Sequence, residues 1–193
     1  MNSPEDMNAE EAVTLNEEFR RLDIGELDNL DRDDFVLVGL YVQVYNFMDF
    51  NIQRLYAFLS STPSFQKPSI SGKLSIHRMI DAIKDGCAPY MEDDMLKAFQ
   101  ADLEEIKRCR PQRNLLAHFA AKRLPHRDAI VLLNANPADY RNNIKKPGAV
   151  SYTVQELSDL RNLIDHMQIY ERRLATTCSA LIDRIVRQRE VLE

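Results

Sequence analysis

From Asp33 to about Leu59 apolar residues recur at Phe35, Leu37, Leu40, Tyr41, Val44, Phe47, Met48, Phe50, Leu55 and Phe58. The spacing predicts one long helix whose first half is apolar around nearly its whole circumference. Such a helix must be covered on several sides, so it is expected at the centre of a bundle or in a dimer seam. Its most apolar stretch, Phe35 to Phe50, is interrupted by Gln43, Asn46 and Asp49 and falls short of the ~20 residues a bilayer crossing needs, so no membrane association is expected.

The rest of the chain supplies partners for it. A weakly amphipathic acidic helix is expected from Asn8 to about Leu22, ended by Gly25. Ser60 to Gly72, with two prolines and five serines, reads as a loop. A short helix follows from about Ser75 to Asp85, with Ile76, Met79, Ile80 and Ile83 on one face and Gly86 as its stop. Pro89 to Cys109 opens a longer helix, which Pro111 is expected to interrupt, so that the chain kinks or restarts with the proline in a first turn. Ala129 to Leu133 and Ala149 to Val154 predict two short strands joined by a polar segment. Thr153 and Glu156 resemble a capping box ahead of a last helix that runs to about Arg189.

These elements predict an all-α fold, an antiparallel helical bundle of four to five helices with a short β-hairpin inserted before the last long helix. At 193 residues one core is expected. Residues 1–31 form an acidic extension and 32–193 the bundle. The opening MNSPEDMNAEEAV has neither a basic flank nor an apolar run, which predicts a cytoplasmic chain without a signal or transit peptide. Cys87, Cys109 and Cys178 are too far apart for a zinc knuckle and odd in number, and are expected as small buried residues.

Charge is unevenly distributed. The net charge is -5, yet Lys107 to Arg127 holds seven basic residues and no acid, leaving 18 basic and 30 acidic residues elsewhere. The first 34 residues carry twelve acids against three arginines. This asymmetry predicts a basic surface able to hold an anion, with an acidic segment available to screen it.

Inside the basic segment stands RPQRNLLAHF, residues 110–119. Asn114 and His118 are four apart and share a helix face, whereas Arg113 and His118 lie ~140° apart. A restarted helix at Pro111 would add free N–H groups attractive to phosphate. Histidine can move a proton near neutral pH, and arginine can neutralise charge that builds on a phosphate. Such a set can promote attack of an RNA 2'-hydroxyl on the adjacent phosphorus without a metal.

Arg113, a polar Asn114, three further residues and His118, late in an all-helical bundle, resemble the signature of the HEPN family (higher eukaryotes and prokaryotes nucleotide-binding domain). The resemblance covers roughly Asp33 to Arg189. It implies a metal-independent endoribonuclease acting as a homodimer, with no cofactor, in which Arg113, Asn114 and His118 occupy the active positions and two copies of the motif face one cleft. Arg110, Lys122, Arg123 and Arg127 would hold the flanking RNA. A toxin or defence setting, and an inhibitory partner protein, are compatible with it. Ala120 stands where members controlled by a nucleotidyltransferase carry a tyrosine, so that form of control is not expected. Some members bind or assemble without catalysis, and a non-catalytic RNA- or nucleotide-binding or protein-assembly module is the alternative. His77 beside Asp81, His126 in a loop and His166 beside the apolar stripe of the last helix are expected to be surface residues.

Overall fold

A computed structural model describes residues 23–63, 65, 74–134 and 151–190. The expected acidic helix at Asn8–Leu22 and the polar connection of the hairpin lie outside these residues, as does most of the Ser60–Gly72 loop. Among the described residues there are four helices and one three-stranded antiparallel sheet, so the fold is mostly all-α. The helices are α1 (Arg32–Leu59), α2 (Ile76–Gly86), α3 (Asp93–His118) and α4 (Leu157–Glu190). The strands are β1 (Ala120–Arg123), β2 (Ala129–Asn134) and β3 (Ser151–Glu156), in the order β1-β2-β3. The chain groups into two compact units, one of Met1–Leu40 with Asn114–Leu163 and one of Tyr41–Arg113 with Ile164–Glu193.

The second unit is helical. One face of α1 carries Tyr41, Val44, Tyr45, Met48, Ile52, Leu55 and Leu59, all buried at steps of one, three and four residues. Two phenols tie this face to α3: Tyr41 Oη donates to the Cys109 carbonyl at 3.1 Å and Tyr45 Oη to the Ile106 carbonyl at 3.2 Å. A buried tyrosine needs such a partner, and here each phenol finds a helix carbonyl. Ser75 caps α2, accepting from the Arg78 N–H, and Ile76, Ile80 and Ile83 are its buried stripe. Gly86 does more than end the helix, because a Cβ there would lie 2.5 Å from the Phe65 ring. Lys84 and Lys107 link α2 and α3 through Glu104 and Asp81. On α4, Arg173 meets the buried Asp102 of α3 at 2.5 Å and lies over the Tyr170 ring. All three cysteines are buried, and burial pushes the thiols of Cys87 and Cys178 up to about 12.

The first unit is built on the sheet. The hairpin of β2 and β3 forms as expected, with Val131 opposite Val154 and Ala129 opposite Glu156. Leu27, Leu124, Ala129 and Val131 make its core, joined by Leu133, Tyr152 and Val154. Residues 120–123 form a third strand that the sequence did not suggest, pairing Lys122 with Val131. One expectation is corrected here. Thr153 and Glu156 belong to β3 and do not cap α4, which begins at Leu157 with no intervening residue, the Leu157 N–H donating to the Asp128 carbonyl at 2.9 Å.

The start of α1 has the capping box that was expected elsewhere. Asp31 Oδ1 accepts the Asp34 N–H at 2.9 Å, and Asp34 Oδ2 accepts the Asp31 N–H at 3.0 Å. α1 is long and apolar enough to be a candidate membrane span, with 33% of its most apolar window buried, a test that a core helix also passes.

Candidate active site

The motif residues stand on one unbroken helix. Pro111 lies inside α3 and does not restart it, so the expected N–H groups for phosphate are absent at this point. Proline has no N–H, and the Lys107 carbonyl four residues earlier therefore receives no helix bond from position 111. Residues 113–118 form the closing turns of α3, where carbonyls rather than N–H groups face outward. An anion here must be held by side chains.

Arg113 is half-buried in the helical unit, where its Nη2 donates to Asn46 Oδ1 of α1 at 3.0 Å. Asp49, one turn along α1, feels the charges of both Arg110 and Arg113. Burial is the largest influence on that carboxyl and raises its pKa, while the two guanidiniums oppose the rise. Asp49 Oδ1 is buried, with no hydrogen-bond partner among the described residues. Tyr45 senses the same charges: burial first and Asp49 second push its phenol up, against Arg110 and Arg113. Arg113 is thus held by the Asn46 amide and lies near enough to Asp49 to act on its carboxyl.

Asn114 and His118 belong to the sheet-containing unit and are exposed on one face of α3. His118 closes the helix, and the chain turns directly into β1. Arg113 and His118 are thus residues of one helix that belong to different compact units. The side chains are presented differently, one half-buried against α1 and the other in solvent.

The four flanking basic residues differ among themselves. Arg123 sits on β1 and is clamped by three carboxylates: Asp34 at 2.5 Å, Asp128 at 3.0 Å and Asp31 at 3.3 Å. The Asp34 side chain is only 2% exposed, so this clamp is part of the fold. Asp128 is held below the usual carboxylate range first by its hydrogen bond to Arg161 and also by Arg123. Lys122 donates to Asn29 at 2.7 Å, and the backbones of Asp28 and Arg123 exchange two hydrogen bonds. Arg110 faces Asp49 and Tyr45, while Arg127 is exposed beside His126, which has a positive φ of 61°. Lys107 and Arg108 are engaged by Asp81, Glu104 and Glu105. Among the described residues no three of His, Cys, Asp and Glu gather as a metal site would require.

Asn46 and Asp49 were read in the sequence only as breaks in an apolar run. Two polar residues three apart on a helix apolar nearly all round imply a polar neighbour opposite, and that signal identifies Arg113's partners. No protein-family model matches the chain, and no curated protein or solved structure matches it either.

Proposed function

We propose that this chain is a metal-independent endoribonuclease of HEPN type that acts on RNA as a homodimer. The observation that supports this most is the presentation of the motif: an arginine steadied by Asn46 at 3.0 Å and an exposed histidine five residues on along the same helix. In the reaction, His118 removes the 2'-hydroxyl proton, and the resulting oxygen attacks phosphorus. The bond to the 5' oxygen breaks as that oxygen takes a proton from solvent, leaving a cyclic phosphate and a 5'-hydroxyl. Arg113 offsets charge on the phosphoryl oxygens, and Asn114 positions the imidazole or a phosphate oxygen. Arg110, Lys122 and Arg127 hold the flanking backbone, with Arg123 contributing where RNA competes with its carboxylates.

Because helical spacing sets the two positions ~140° apart, their meeting on one phosphate calls for two copies. His118→Ala and Arg113→Ala are each expected to lower cleavage of mixed RNA in chelator about 100-fold or more. Mixing the two inactive variants should recover activity, since a mixed dimer holds one composite site with both groups intact. Full cleavage by either variant, or fragments without cyclic phosphate ends, would sink the proposal. The engagement of Lys107, Arg108, Lys122 and Arg123 by side chains of this chain favours one other reading, a non-catalytic binding or assembly module. Salt-sensitive RNA binding that leaves the RNA uncut would select it.

A further inference from the structure

Within the helical unit a groove of about 380 Å³ lies between α3 and α4. Its apolar wall comes from spacing. Met91, just ahead of α3, and Met95 and Phe99 on it stand at four-residue steps, so they follow one side of the chain. Phe99 is buried and Met95 is 47% exposed, which gives the groove an apolar floor and a more open side. Methionine, with its rotatable bonds and polarizable sulfur, adapts to an apolar guest. Across from this wall, α4 offers the short side chains of Thr176 and Thr177, which leave the space unfilled. The charged part lies one turn beyond Phe99. There Asp102, its side chain 8% exposed, binds Arg173 at 2.5 Å, and the Tyr170 ring centroid is 5.3 Å from the same guanidinium. Exposed Arg172 lines the groove as well. Two guanidiniums against one carboxylate leave a single positive charge.

We propose that this groove binds a small organic monocarboxylate with an unbranched apolar tail of about ten carbons. Size sets the first limit. At roughly 30 Å³ for a water-sized atom, the groove takes about a dozen non-hydrogen atoms, and its volume falls within the range of small-molecule sites. Shape sets the second. Between Met91 and Asp102 the chain rises roughly 15 Å, close to the length of such a tail with its head group. Charge sets the third. The surplus of one positive charge balances a monoanion, whereas a dianionic phosphate monoester would carry one charge too many beside Asp102. A guanidinium has five N–H donors in a planar fork, and Asp102 occupies only part of that of Arg173. Because Asp102 and Tyr170 already hold Arg173 in place, little side-chain freedom is lost when a carboxylate arrives. The tail then lies along Met91, Met95 and Phe99, with the head group at Arg172 and Arg173.

No residue of the groove belongs to the Arg113–His118 motif or to its basic flank, so the proposal stands or falls apart from the nuclease reading. Titration calorimetry of the full chain with hexanoate, octanoate and decanoate, each below its micelle concentration, tests it. Decanoate should bind one to one with a dissociation constant on the order of 100 µM, as expected for a ligand of about a dozen atoms. Each methylene removed should weaken binding about two- to fourfold. Arg172→Glu should weaken decanoate about 10- to 100-fold, the loss of a charge-assisted hydrogen bond. Met95→Glu, which sets a carboxylate against the tail, should abolish binding, with circular dichroism unchanged in both variants. Should Met95→Glu fail to fold, the exposed Arg172 and the chain-length series still decide. No decanoate binding at about 1 mM, ten times the expected constant, would overturn the proposal. So would affinity indifferent to both substitutions or to tail length, or decylamine binding as tightly as decanoate.

Discussion

Asp49 shows how much one side chain depends on neighbours that are remote in sequence. Its carboxyl is raised above the ordinary range chiefly by burial, with Arg110 and Arg113 only partly offsetting the effect. The folded state therefore binds this proton more tightly than the unfolded chain does. The contribution to stability is fully present below the unfolded pKa and is lost as pH rises through the folded one. Asp49→Asn is accordingly expected to stabilise the protein at neutral pH, with the gain shrinking towards pH 4. Chemical denaturation across that range would measure it, and a gain that grows in acid would contradict the assignment. The sequence displayed Asp49 and Asn46 plainly but could not say what faced them, because their partners lie more than 60 residues away on α3. His118 was legible as a candidate from its type and spacing, and it is exposed at the end of α3.

At the scale of elements, periodicity located α1, α2 and α4 to within a few residues, since each buries a stripe at three- and four-residue steps. Punctuation was a poorer guide. Pro111 was expected to break α3, yet the helix continues through it, because Tyr41 and Tyr45 bond the carbonyls of Cys109 and Ile106 just before it and buried Leu116 anchors the turn beyond it. Tertiary packing outweighs one missing hydrogen bond there. Pro111→Ala should therefore stabilise the protein by about 1–3 kcal/mol, given the cost of proline inside a helix. Thermal melts of the two proteins would register this, and an unchanged or lower melting temperature would mean that the proline geometry is itself needed. Strand β1 was missed because AAKR has little strand character of its own, and its pairing to β2 comes from the rest of the sheet.

For the molecule as a whole, the division into an acidic beginning and a basic middle is resolved within the sheet-containing unit. Asn29, Asp31 and Asp34 engage Lys122 and Arg123, while Leu27 is buried with Leu124 and Val131. The acidic segment near residue 30 is thus built into the fold and is more than a removable screen. Deleting residues 1–31 strips away Leu27 and the Asp31 cap, and is expected to cost on the order of 2–5 kcal/mol from the lost leucine alone. Equilibrium unfolding would check this; a truncated chain as stable as the full one would show that the clamp is dispensable. Charge counting revealed that opposite charges were available, but not which carboxylate would meet which base. Strand β3 passes into α4 without a single spare residue between Glu156 and Leu157. One residue inserted at that joint would rotate the opening turns of the helix by about 100°, carrying Leu157 and Leu160 out of the interior and bringing polar neighbours in. Homologous chains should therefore vary in length almost anywhere before tolerating a change there.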